Sequence, residues 1–207
     1  MNTEIICILD RSGSMASIKK DTIGGFNSFL AEQKTVPGEA KVTLIQFDGQ
    51  YEKCYQGLPL SEVQDLTEAT FVPRGSTALL DAIGKTLVEQ KTRIQKEAWA
   101  NKVIIVILTD GEENSSVEFN RDTIKTLTES AQNDEWSFIY LGANQDSFSV
   151  ASTMGINVKS ALNSVANYAC NAEGLEFATR SYSGATTNLR MGKSANADLN
   201  ININVNK

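Results

Sequence analysis

The sequence contains no histidine. That absence excludes Ser-His-Asp and Cys-His catalysis, His-bearing zinc sites and imidazole pH switches from the chain acting alone. Cysteine is scarce: Cys7, Cys54 and Cys170 are odd in number and none falls in CxxC spacing. Neither a disulfide framework nor a zinc ribbon is indicated, and buried thiols are expected. Basic residues are scattered and outnumbered, 19 Lys and Arg against 25 Asp and Glu, for a net charge of -6. With no electrostatic footprint for a phosphate backbone, nucleic acid is not an expected partner. No stretch approaches the roughly 20 apolar residues of a membrane span. Met1 to Asp10 has no basic n-region, and its apolar run from Ile5 to Leu9 is too short for a signal sequence. A soluble, cytoplasmic protein with no membrane partner is expected, and nothing in the pattern fixes an oligomeric state.

What is present suits a single core: 207 residues with 41% hydrophobic content match one domain. Thr3 to Leu9 is short, β-branched and almost wholly apolar, as a central strand covered on both faces should be. Ser17 to Lys34 repeats apolar residues at helical spacing, weakened at Gly24 and Gly25. Ala40 to Phe47 predicts a second strand, and Asp48-Gly49 a hairpin into Tyr51 to Tyr55 at a sheet edge. Thr77 to Trp99 predicts a helix capped by Ser76 or Thr77. Val103 to Leu108 is the most apolar run. A helix from Asn120 to Asn133, a strand from Trp136 to Leu141 and a short helix from Gln145 to Met154 follow.

Beyond Ala172, the residues Leu175, Phe177, Ala178 and Tyr182 form a potential amphipathic face. Alternating strands and helices imply an α/β class, a Rossmann-like three-layer α/β/α arrangement whose mostly parallel sheet has one antiparallel edge strand. Residues 1–190 are read as one domain. The Asn-rich tail 191–207, with Leu199, Ile201, Ile203 and Val205 alternating, is read as a flexible segment or an edge strand.

The chemistry concentrates at three strand ends. Asp10-Arg11-Ser12-Gly13-Ser14 places a carboxylate and two hydroxyls at alternate positions on a tight loop after the first strand. Strand tips are where open α/β sheets bind ligands, and Thr77 and Asp110 arrive at matching places. Asp10, Ser12, Ser14, Thr77 and Asp110 together offer hard oxygen donors. Mg2+ suits such a set, with water filling the remaining positions, and Mn2+ or Ca2+ are alternatives. Two aspartates leave the ion attractive to an incoming carboxylate, because hydroxyls polarise without neutralising.

These segments resemble the von Willebrand factor A (VWA) family. Asp10-Arg11-Ser12-Gly13-Ser14 matches its DxSxS pattern, Gly75 to Ala82 looks like its second metal-site loop, and Thr109-Asp110-Gly111 like its third. Their order and separation also agree, over roughly Thr3 to Gly142, about two-thirds of the chain. The resemblance implies a metal-ion-dependent adhesion site. Ser12 and Ser14 would be direct ligands, Thr77 direct or through water, and Asp10 and Asp110 often through water. It further implies a non-catalytic binding module, a protein partner whose Glu or Asp completes the coordination shell and, in some members, a shift of a C-terminal helix. Stand-alone bacterial or phage members, including tellurium-resistance-type ones, look most similar.

Plainer readings exist for each piece. Asp10 to Ser14 alone is an ordinary turn, Thr77 alone an N-cap, and Asp110-Gly111 alone a turn; their joint placement at strand tips favours a site. Asp81 reads mainly as a favourable charge at a helix N-terminus, or else as a support for the metal loop. Glu112, Glu113 and Asn114 read as a solvated acidic loop, and Arg74 as an attraction for an acidic partner. Gly84-Lys85-Thr86 and Gly192-Lys193-Ser194 imitate the end of a P-loop but lack its earlier glycine and a preceding strand. Asn114-Ser115-Ser116 matches a glycosylation acceptor without a secretory context. The competing functions are a metal-dependent hydrolase or phosphoryl-transfer enzyme, a phospho-accepting Asp10, and a structural component of a virion or large assembly.

Overall fold

The computed structural model describes residues 1–196. One six-stranded sheet runs through it, built from β1 (Thr3–Asp10), β2 (Ala40–Phe47), β3 (Tyr51–Pro59), β4 (Lys102–Thr109), β5 (Ser137–Ala143) and β6 (Ser164–Tyr168) in the order β3-β2-β1-β4-β5-β6. Every pairing is parallel except β2 with β3, which is antiparallel and irregular around Leu44. The three-layer α/β expectation therefore holds, including its antiparallel edge.

The helices are α1 (Lys19–Thr35), α2 (Leu79–Glu97), α3 (Arg121–Asn133), α4 (Ser147–Thr153) and α5 (Ala172–Arg190), with a 3-10 turn over Gly13–Ile18 leading into α1. Successive side chains of a strand point to opposite faces, so β1 serves two cores at once. Ile5, Cys7 and Leu9 pack with Phe26, Phe29, Leu30, Leu175 and Tyr182 on the α1/α5 side. Ile6 and Ile8 pack with Leu79, Ile83, Leu87, Ile124 and Tyr140 on the α2/α3 side. Each such side chain contributes about 1.5–3 kcal/mol by leaving water. On the first face Phe29 and Tyr182 meet with ring centroids 4.9 Å apart, and Arg190 of α5 donates to the carbonyls of Gln33, Val36 and Gly38, satisfying the C-terminal end of α1.

Several local expectations need correction. The N-cap of α2 is Ala78, and neither Ser76 nor Thr77 caps it. Cys54 is exposed on the edge strand β3 and Cys170 is half-buried, so only Cys7 is a buried thiol. Phe177 is 37% exposed and lies off the packed face of α5, which is formed by Leu175, Ala178 and Tyr182. β6 was not anticipated: as the outermost strand it is half covered and carries Ser164 and Asn167, so its apolar signal is weak. After α5 the chain folds back on the approach to β6, with Ala195 N donating to Ala161 O and Ala195 fully buried. Leu199, Ile201, Ile203 and Val205 lie outside the described residues.

The topology creates the site. From β1 the chain moves outward to β2, whereas from β4 it moves the other way to β5, so the ends of β1 and β4 flank the switch point of the sheet. Leu9 pairs with Leu108, which sets Asp10 beside Thr109 and delivers Asp110 one residue later.

Candidate metal centre

Asp10 ends β1 completely buried, with both carboxylate oxygens fixed: Oδ1 accepts from Ser12 N at 2.7 Å and Oδ2 from Thr109 Oγ1 at 2.6 Å. Burial pushes its carboxyl up to about 6, against the pull of these hydrogen bonds, and Asp110 adds to the rise.

Ser12 is buried and Ser14 exposed, with their hydroxyl oxygens 3.0 Å apart. Ser14 Oγ also donates to Asp110 Oδ1 at 2.6 Å. Thr77 Oγ1 makes no hydrogen bond to the described residues, although Thr77 is only 3% exposed. Gly111 shows where it points: a methyl group there would lie 3.2 Å from Thr77 Oγ1 and 3.6 Å from Ser14 Oγ. Ser12, Ser14, Thr77 and Asp110 thus face one small space, with Asp10 behind the two serines. Adjacent oxygens around an octahedral Mg2+ are separated by about 2.8–3.0 Å, the edge that follows from 2.0–2.1 Å bonds. The Ser12–Ser14 pair already has that spacing. The five donors are hydroxyls and carboxylates, with the Cys170 thiol donating to Asp110 Oδ2 at 3.5 Å beside them, and among the described residues no group of three or more His, Cys, Asp or Glu gathers as a metal cluster. The donor set fits a hard cation rather than a thiophilic one.

Backbone contacts lock the three loops together. Gly13 N donates to Gly75 O, Arg74 N to Arg11 O, and Ala78 N to Asp48 O. Asn114 clamps Thr77 from both sides, accepting from Thr77 N through Oδ1 and donating its own N–H to Thr77 O. Asn144 Nδ2 donates to Asp110 O, and Tyr168 OH to Thr109 O.

The segment after Asp110 is a solvated acidic loop only in part: Glu112 is exposed, whereas Glu113 and Asn114 are engaged. Glu113 accepts from Leu80 N, Ser115 N, Ser116 N and Ser116 Oγ, at 2.7–2.9 Å. Ser116 Oγ accepts in turn from Asp81 N. Two N–H groups in the first turn of α2 are therefore satisfied from the loop after β4, which is why Ser76 and Thr77 are not needed as caps. Asp81 completes the latch by accepting from Val117 N, Glu118 N and Phe119 N at 2.8–2.9 Å. Its carboxylate serves the loop more than the helix end. Gly84 leaves the surface of α2 flat for the Phe119 ring, which a Cβ would meet at 2.4 Å. Sequence reasoning did not find these supporting roles for Glu113, Asn114, Asn144 and Tyr168, because each depends on a partner distant in the chain.

No family profile and no curated protein matches the sequence. Solved structures do match. A von Willebrand factor type A protein from Catenulispora acidiphila superposes with a TM-score of 0.62 at 17% identity, over 90% of this chain and 43% of that one. The chain has the VWA fold. The SpRpn10 VWA domain superposes with a TM-score of 0.60 at 13% identity, over 86% of this chain and 93% of that one. Proximal thread matrix protein 1 from the mussel byssus, with a zinc-occupied MIDAS motif, gives 0.61 at 11% identity over 90% of this chain and 46% of that one. The chain thus spans under half the length of the Catenulispora and mussel proteins and nearly all of the SpRpn10 domain. Among the described residues no helix is long and apolar enough to cross a membrane.

Proposed function

We propose that residues 1–190 form a non-catalytic, divalent-cation-dependent protein-binding module. In it Asp10, Ser12, Ser14, Thr77 and Asp110 hold Mg2+, or Mn2+ in its place. The bound ion supplies an exposed positive charge and open coordination positions that take a Glu or Asp from a protein partner. The observation that carries this reading is the convergence of the Ser12, Ser14 and Thr77 hydroxyls with Asp110 at the tip of the sheet. The zinc-occupied site of the mussel protein, which shares the fold, supports a cation at this position.

The chain's own residues favour binding over catalysis. Glu113 is engaged by four donors, Asp81 by three backbone N–H groups, and Asp48 by two guanidiniums. These carboxylates hold the site together and do not stand ready as bases. The backbone clamps on the three loops fix the donors in place before any partner arrives. The test is retention of partners from the native host on immobilised protein in Mg2+. Release by EDTA and loss of retention with Asp10→Ala or Ser12→Ala are expected; retention unchanged by either perturbation would refute the reading.

A further inference from the structure

Beside the metal loops lies a charged cluster that coordination does not use. Asp48 Oδ2 accepts from Arg11 Nε at 3.0 Å and from Arg74 Nε at 2.9 Å. The Asp48 side chain is 4% exposed, and its other oxygen accepts from Gln50 N. Arg11 is 6% exposed, contacts Glu52 through Nη1, and leaves a buried Nη2 without a partner. One buried carboxylate thus serves two guanidiniums, and only Arg11 has a second anion. Arg74 is the under-neutralised member.

Its orientation gives that charge a use. Asp48 takes the Nε side of Arg74, Nη2 reaches only Gln50 Oε1 at 3.5 Å, and Nη1 has no partner among the described residues. The end-on edge of the guanidinium therefore carries only the long 3.5 Å contact from Nη2 to Gln50, and the side chain is 53% exposed. That edge is the fork that binds a carboxylate in a bidentate manner. Arg74 is also fixed relative to the metal donors: its N–H is bonded to Arg11 O, the next residue is bonded to Gly13, and Thr77 follows three residues on. Three residues span at most about 11 Å.

We propose that Arg74 is a second reading head of the same binding face, so that the partner presents two acidic side chains, one for the cation and one for the Arg74 fork. This rests on the metal-dependent reading above. At about 3.3 Å per residue of extended chain, a backbone separation of at most about 11 Å corresponds to no more than about three positions between the two acidic residues.

The test is selection from a displayed library of twelve-residue peptides with one fixed central Glu, on the full chain in Mg2+ with elution by EDTA. Eluted peptides are expected to be enriched in a second Asp or Glu at a fixed offset. Arg74→Gln should abolish that enrichment and weaken the selected peptides about tenfold, the lower end for a charge-assisted bidentate contact. Arg74→Lys should recover part of the affinity but not the fixed offset, since it restores charge without the fork. Mn2+ affinity of the free protein should be the same in all three forms, which separates partner recognition from damage to the metal site. EDTA-eluted peptides lacking a second acidic position, or binding equally to Arg74→Gln, would overturn the inference while leaving the metal reading intact. A library that yields no EDTA-eluted peptide would overturn both.

Discussion

Replacing Glu113 with alanine removes the acceptor for four hydrogen bonds at the junction between the loop after β4 and the start of α2. The three backbone donors are not equivalent. Ser115 and Ser116 are half-buried, so water can reach their N–H groups, whereas Leu80 is 7% exposed and its N–H has no ready substitute. Assigning roughly 0.5–1 kcal/mol to each of the first two and about 1–2 kcal/mol to the third gives a loss of about 3 kcal/mol. For a chain of this length that corresponds to a fall in Tm of about 6–12 °C. Glu113→Gln keeps one acceptor oxygen and turns an NH2 group towards donors on the other side, so about half the loss is expected. Thermal unfolding of the three proteins tests the magnitude, and amide exchange tests the location, with Leu80, Ser115 and Ser116 losing protection together. A Tm within 2 °C of the parent, or a Leu80 amide that stays protected, would show that the latch does not hold the helix end.

Two glycines in helices should respond with opposite signs. Gly24 of α1 has nothing within 4 Å of a new Cβ, so Gly24→Ala should stabilise by about 0.5–1 kcal/mol through helix propensity. Gly84→Ala drives a methyl into the Phe119 ring and should cost about 1–3 kcal/mol despite the same propensity gain; denaturant midpoints read both. Iodoacetamide should label exposed Cys54 in the native protein, and half-buried Cys170 more slowly, since its thiol donates to Asp110 and is pushed up by burial and that carboxylate. Cys7 should react only after unfolding, since it is buried and its thiol is pushed up to about 12; peptide mapping of the labelled chain decides. Gly111→Ala should weaken Mn2+ binding while leaving the denaturant midpoint close to the parent, because the added methyl meets the Thr77 and Ser14 hydroxyls and not the core.

What could be read from the sequence was what is local. β1 and β4 hold continuous apolar runs because both faces of each are covered, while β2 interleaves Val42, Leu44, Ile45 and Phe47 with Lys41, Thr43 and Gln46. Asp10, Ser12 and Ser14 stand out as candidate ligands through their spacing on one loop. β6 escaped because an edge strand buries less and tolerates Ser and Asn. The N-terminus of α2 was misread for a different reason. Ser76 and Thr77 are good caps in isolation, but Glu113 and Ser116, more than thirty residues on, take the first-turn N–H groups instead. Similarly, Glu112 to Asn114 looks like solvated surface when its polar character is weighed alone. Only the fold shows Glu113 and Asn114 turned onto α2 and Thr77.

The tip of the sheet, where the Ser12, Ser14 and Thr77 hydroxyls meet Asp110, is expected to hold a cation. Titration of the full chain with Mn2+, followed by the electron paramagnetic resonance signal of the free ion, tests it most directly. One ion bound per chain is expected, competed by Mg2+ and lost in Asp110→Ala and Ser12→Ala proteins that keep the parental unfolding transition. Binding undiminished in those two variants, or no binding by the parent at millimolar Mn2+, would show that these residues do not form a cation site.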